Sequence, residues 1–190
     1  MSSGPQVIIF HGTGSGPEGN WYRWLQHELQ GRGIAAALPA FPTPQGQSWA
    51  NWRELFYDEF EYLTPGMVLI GHSVGCAMIL RLLEESHHQV CATLLAAGWH
   101  GLLNNPELDP LICSFCQPEL DWGHIRERAG RVIMFHGDND PYVPLKLGRE
   151  LAYQLAAQLE IIPGGGHLNA ESGFTAFPEM LSAVMAALTQ

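Results

Sequence analysis

The sequence is poor in positive charge. Nine Lys plus Arg stand against 19 Asp plus Glu, a formal net charge of −10, and Lys146 is its one lysine. Nucleic acid and anionic membrane surfaces both need clustered positive charge, so neither is expected as a partner. Long apolar runs are missing as well: nothing approaches the ~18 residues of a membrane-spanning helix. Met1–Phe10 carries no basic segment, and its apolar run Val7–Phe10 is too short for the core of a signal peptide. Cysteine is scarce, with four in 190 residues, and the expected state is free thiols in a reducing cytoplasm. Repeats, charge blocks and long linkers are also lacking.

What is present describes a single domain over residues 1–190. A chain of this length with 46% hydrophobic residues is not disordered. It should bury about 70% of its unfolded surface, without help from disulfides or metals. Short apolar runs alternate with longer helical patterns. The expected strands are Val7–Phe10, Ile34–Leu38, Met67–Ile70, Val90–Ala96, Arg131–Phe135 and Leu159–Ile162. Helices are expected through Trp21–Leu29, Ser48–Tyr62, Ser73–Glu85, Leu145–Leu155 and Phe177–Thr189. The stretch Trp99–Gly123, with three prolines and no clean period, reads as irregular. Strands without polar alternation, joined by helices, make a parallel sheet covered on both faces. Ligands on such a sheet bind beyond the carboxyl ends of the strands, here the loops 11–20, 39–47, 71–74, 97–104, 136–144 and 163–169.

Gly71-His72-Ser73-Val74-Gly75 lies between an expected strand and an expected helix. This is G-x-S-x-G in the strand–turn–helix setting of a nucleophile elbow. Glycines flank the serine where side chains would clash, and the helix N-terminus favours negative charge. Such a serine needs a base, and the base needs an orienting acid, in the chain order Ser, acid, His. His167, after the three glycines Gly164–Gly166, is the candidate base, and because only a neutral imidazole can accept the serine proton, activity is expected to rise with pH. Asp138 and Asp140 both follow the fifth strand, and spacing alone does not choose between them. The developing oxyanion requires backbone amides, for which Val74 and Thr13 are the candidates. The side chain of His72 should point away from the serine. Trp99, at a strand end, is a candidate for the substrate pocket.

Taken together these residues resemble the α/β-hydrolase superfamily. More narrowly they resemble the small serine hydrolases typified by retinoblastoma-binding protein 9 and YdeN-like proteins. The likeness runs through His11-Gly12, Trp21 and Trp24, Pro39–Pro44, Gly71–Cys76, Arg81–Glu84, Asp140–Pro144 and Gly165–His167, then Gly173–Thr175. It implies a minimal three-layer α/β-hydrolase fold with a six-stranded, mainly parallel sheet and helices on both faces. It also implies a Ser73–His167–Asp140 triad, with the acid at the first position of D-x-x-V-P. Trp99–Gly123 matches the family poorly and is expected to form a short cap-like insertion.

Two rival motifs fail on mechanism. Gly14–Gly19 spells G-x-G-x-x-G, but Glu18 would face a pyrophosphate, and Ile34–Leu38 ends without the carboxylate that holds a ribose. Cys113-Ser114-Phe115-Cys116 lacks the second ligand pair that zinc needs. No metal and no cofactor is therefore expected. The reading that follows is a serine hydrolase acting on small carboxyl esters through an acyl-enzyme. The alternative is a protein-interaction module of the same fold whose hydrolysis is weak or incidental; a protein partner is possible but not indicated.

Overall fold

Six short apolar runs become the strands of one sheet, all parallel, in the order β2-β1-β3-β4-β5-β6. The structure is a computed structural model that describes residues 5–189. The strands are β1 (Val7–Phe10), β2 (Ala36–Ala37), β3 (Val68–His72), β4 (Ala92–Ala96), β5 (Arg131–Gly137) and β6 (Gln158–Ile162). The helices are α1 (Tyr22–Gln30), α2 (Trp49–Phe60), α3 (Val74–Glu85), α4 (Asp109–Cys116), α5 (Trp122–Arg128), α6 (Leu145–Leu155) and α7 (Pro178–Leu188).

Side chains alternate across a strand, so each central strand feeds two cores. Val7 and Ile9, with Val68, Ile70, Leu94 and Phe135, pack against α1 and α7. Ile8 and Phe10, with Leu69, Leu95 and Met134, pack against α2 to α6. This is the three-layer α/β arrangement expected, and it explains why strands β1, β3 and β4 show no polar alternation: both of their faces are buried.

Two expectations need correction. The second strand is two residues rather than Ile34–Leu38. It is an edge strand paired only as Val7↔Ala36 and Ile8↔Ala37, and the chain then turns away at Pro39. The segment 99–123 is not wholly irregular. Asp109 accepts hydrogen bonds from the amides of Leu103 (2.8 Å) and Asn105 (3.1 Å), and Pro110 occupies the first turn, where its missing N–H costs nothing. The helix α4 that follows buries Ile112, Phe115 and Cys116. The residues that start it, an aspartate on preceding amides and a proline, carry no hydrophobic period of their own.

Candidate active site

The close of β3 onto α3 builds the centre of the site. Ser73 sits between them with φ 55° and ψ −124°, a conformation that L residues rarely adopt. The turn is held by the Ser73 amide donating to the Ala96 carbonyl (3.0 Å) and the Cys76 amide donating to the Ser73 carbonyl (2.9 Å). Glycine is required at Gly75, because a Cβ there would overlap the carbonyl oxygens of Phe10 and His11. Helix α3 thus runs directly against the end of β1, and Ser73 opens onto the cavity above the sheet.

His167 reaches the same cavity from beyond β6. The loop before it turns through Gly164 and Gly166, both with positive φ, and a Cβ on Gly166 would collide with the Ser172 hydroxyl. The Nδ1 of His167 donates to Oδ2 of Asp140 at 2.8 Å, and the Asp140 side chain is fully buried. The other oxygen of Asp140 accepts from the amides of Tyr142 (2.8 Å) and Val143 (2.9 Å). Burial pulls the Asp140 carboxyl pKa up. The hydrogen bond and charge of His167 and the two amides outweigh that, and the net direction is down. Asp138, by contrast, accepts from the Gly164 amide (2.8 Å), and Asn139 accepts from the Gly166 amide (2.7 Å). These two residues shape the His167 loop from outside.

The cavity has a volume of about 490 Å³. Thr13, Ser73, Trp99 and His167 all line it. Its apolar lining includes Trp99, Leu103, Leu108, Ile112 and Val143, and its polar lining includes Ser15, Asn20 and Glu171. All three lining leucine and isoleucine positions, Leu103, Leu108 and Ile112, belong to the segment with no legible period. Helix α4 is anchored to α3 by the buried Arg81, which donates from Nε to the Phe115 carbonyl (2.9 Å) and from Nη2 to the Pro118 carbonyl.

Among the backbone amides near Ser73, Gly12 donates to the Tyr22 hydroxyl (3.1 Å) and Gly14 to the Thr43 hydroxyl (2.7 Å). The Thr13 amide between them, and the Val74 amide at the first turn of α3, have no acceptor among the described residues. Of the six strand-end loops, 39–47 does not line the cavity. It acts from behind: the Phe41 amide donates to Nε2 of His11 (3.1 Å), and Gln47 donates to the Thr13 hydroxyl (3.0 Å).

The other residues fall as follows. His72 is among the residues that line the cavity, and its ring is buried and bonded at both nitrogens, to Tyr22 and to the His167 carbonyl. Sequence spacing held no signal for these contacts, since the partners lie 50 and 95 residues away. His136 is not a loop residue but the buried penultimate residue of β5, with Nε2 on the Val143 carbonyl (2.9 Å). Cys113 and Cys116 stand on α4 rather than in irregular chain. Their sulfurs take separate carbonyls, those of Pro110 (3.7 Å) and Gly101 (3.2 Å). No cluster of three or more His, Cys, Asp or Glu that would hold a metal occurs among the described residues.

A family model described as serine hydrolase matches residues 7–186. The chain belongs to the serine hydrolase family. It is 30% identical to YdeN of Bacillus subtilis (strain 168) over 175 residues, 91% of this chain and 90% of YdeN. It is 28% identical to Serine hydrolase RBBP9 of Rattus norvegicus over 192 residues, all of this chain and 98% of that protein. The crystal structure of the B. subtilis ydeN gene product superposes with a TM-score of 0.90, at 28% identity over 98% of this chain and 100% of that one. The esterase RhEst1 from Rhodococcus sp. ECU1013 shares the fold, with a TM-score of 0.71 at 14% identity, covering 100% of this chain and 92% of its own. The serine hydrolase is therefore an α/β hydrolase with a six-stranded sheet. No helix among the described residues is long and apolar enough to cross a membrane.

Proposed function

We propose that this serine hydrolase cleaves small carboxyl esters through a Ser73–His167–Asp140 triad. The observation that carries the reading is one cavity lined by both the strained Ser73 and His167, whose Nδ1–H is committed to a buried carboxylate 2.8 Å away. With Nδ1 protonated, Nε2 keeps the lone pair that can accept the Ser73 proton. The Ser73 oxygen then bonds to the ester carbonyl carbon, and the carbonyl oxygen becomes an oxyanion. The Thr13 and Val74 amides are its donors, supported by their lack of any other acceptor. The imidazolium, stabilised by Asp140, gives its proton to the departing alcohol and leaves an acyl-Ser73. Water, deprotonated by His167, attacks that acyl group; collapse releases the acid and returns the proton to Ser73.

The apolar lining of Trp99, Leu103, Leu108, Ile112 and Val143 suits the acyl group. A cavity of this size, under a cap of about one short helix, suits a short chain. On this reading residues 1–190 form one domain, and 99–123 is its cap. Four free cysteines and the acidic chain suit a cytoplasmic enzyme of small molecules that binds neither nucleic acid nor membrane.

An active-site phosphonate tests the central claim. It should label the wild-type protein and leave Ser73→Ala unlabelled, and Ser73→Ala should lose hydrolysis of short p-nitrophenyl esters. Equal labelling of the two proteins, or a preference for long-chain lipid emulsions, would overturn the reading.

A further inference from the structure

Beneath the site, Asn20 and Trp21, just before α1, reach the loop that carries His167, and Tyr22 reaches it through His72. Asn20 Oδ1 accepts from the Ala170 amide (2.9 Å), Trp21 Nε1 donates to the Leu168 carbonyl (2.9 Å), and the Tyr22 hydroxyl lies 2.6 Å from Nδ1 of His72. His72 Nε2 in turn lies 2.8 Å from the His167 carbonyl. The loop they hold contains Leu168, a fully buried residue with φ 52°, which needs such restraint to persist.

The proton directions in this chain are forced. A carbonyl only accepts, so the His72 proton must be on Nε2. A neutral ring protonated there has a bare Nδ1, which accepts the Tyr22 O–H. With its proton spent, the Tyr22 oxygen accepts the Gly12 amide (3.1 Å) and the Asn20 amide group (2.8 Å). One run of bonds therefore joins the backbone at Gly12 to the backbone at His167 and passes beneath Ser73. Every member of it is satisfied in only one arrangement.

The Gly12 end bears on the Thr13 amide. The Gly12 carbonyl accepts from Ser15 Oγ (3.0 Å) and from Nδ1 of His11 (2.9 Å), whose Nε2 is occupied as the acceptor of the Phe41 amide. The Gly12 carbonyl and the Thr13 N–H belong to one planar trans peptide and point in opposite directions. Fixing the first aims the second. The peptide unit before it is fixed at its N–H by Tyr22.

We propose that Tyr22 and His72 are positioning residues, which lock the Thr13 loop and the His167 backbone to each other through a one-directional hydrogen-bond chain. The inference rests on the reading of Ser73, His167 and the Thr13 amide as the catalytic machinery. Tyr22 and His72 touch none of the reacting atoms. Their work is to keep an oxyanion donor and a base, which come from opposite ends of the chain, at one spacing. Burial, and then the proximity of His167, hold the His72 pKa at about 3, so the ring keeps the neutral form that the chain requires; Asp140 and His11 are the other titratable groups that act on it.

Tyr22→Phe removes a single oxygen and leaves the packing against Trp21 and His72 in place. In the full-length protein it should lower kcat for p-nitrophenyl acetate by about tenfold or more, with KM within about twofold; the urea midpoint should fall, because the Gly12 amide and His72 Nδ1 lose a buried partner, so kcat is read on the folded protein. A role confined to stability would move the midpoint and leave kcat of the folded protein unchanged. Nitrogen-15 spectra of wild-type histidine rings give a second measurement that needs no variant: His72 should carry its proton on Nε2, with Nδ1 bare, from pH 5 to 8. A smaller loss of kcat in Tyr22→Phe overturns the proposal, as does a His72 ring protonated on Nδ1. Retention of turnover by Ser73→Ala would instead overturn the underlying reading of the site, and the ring spectrum does not depend on it.

Discussion

The Nδ1 of His167 lies 2.8 Å from Oδ2 of Asp140, while Asp138, two residues earlier, spends its carboxylate on the Gly164 amide. The two aspartates thus differ in what their removal should do. Asp140→Asn would offer His167 an amide and allow the wrong tautomer, in which Nε2 is protonated and cannot take the serine proton. Such a change costs about 10⁴ in turnover in a Ser-His-Asp enzyme. Asp138→Asn keeps an oxygen for the Gly164 amide and should cost less than about 1 kcal/mol of stability with little change in rate. Steady-state rates of the two folded variants decide the matter. An inactive Asp138→Asn beside an active Asp140→Asn would reverse the assignment.

The backbone of Ser73 makes a separate prediction. A non-glycine residue held at φ 55° and ψ −124° stores about 1–3 kcal/mol of strain. Ser73→Ala keeps that strain, whereas Ser73→Gly removes it and gives back about 0.5–1 kcal/mol through the freer unfolded chain. Both should be inactive, and Ser73→Gly should be the more stable of the two by about 1 kcal/mol in urea unfolding. If Ser73→Ala is the more stable variant, the elbow is not strained.

Legibility in the sequence followed the range of the interaction. β1 and α6 occupy the residues that periodicity assigns, Val7–Phe10 and Leu145–Leu155, because local apolar spacing matches what is buried there, all of the strand and one face of the helix. The Gly71–Gly75 elbow was legible because its glycines answer to contacts within one turn and one neighbouring strand. The choice of Asp140 came from the resemblance, and its partner in space is 27 residues away. Tyr22 and His72 gave no signal, since a tyrosine at a helix start and a histidine beside a serine are ordinary until the chain is folded. Helix α4 was hidden for another reason: its stabilising contacts are an aspartate on preceding amides and an arginine from α3, neither of which produces a hydrophobic period.

Acid should destabilise the protein well above the carboxylate range. Burial lowers the pKa values of His11, His72, His100 and His136, that of His72 to about 3, so each is neutral in the folded state over a range where the unfolded chain is charged. The unfolded state then binds more protons, and stability falls as pH drops from about 6.5 toward the lowered values. His72 alone should remove about 2–3 kcal/mol between pH 7 and 4.5. Asp140, whose folded pKa is depressed, adds to the loss at lower pH still, as its carboxylate is protonated. Urea unfolding at pH 7 and 4.5 measures the difference directly. Equal free energies at the two values would show that these rings are not held neutral.

The acyl preference should be set by α4, the element that the sequence concealed. Ile112 is 1% exposed, lines the cavity together with Leu108, and packs into the core beneath it. Its side chain therefore stands between the cavity and the core. Ile112→Ala would lengthen the space available to the acyl chain without touching Ser73, His167 or the Thr13 loop. Each methylene that the new space buries is worth about 0.8 kcal/mol, close to a fourfold gain in kcat/KM per carbon. The truncation should itself cost about 2–5 kcal/mol of stability, because the residue is almost fully buried. A series of p-nitrophenyl esters from acetate to octanoate reads the effect as a ratio within each protein, so a change in folded fraction cancels. The optimum should move to longer chains by one or two carbons in Ile112→Ala, with the acetate rate changed little. If the optimum stays where it is while the variant remains folded, the acyl group does not lie along α4. The polar lining residues Ser15, Asn20 and Glu171 would then be the place to look for it.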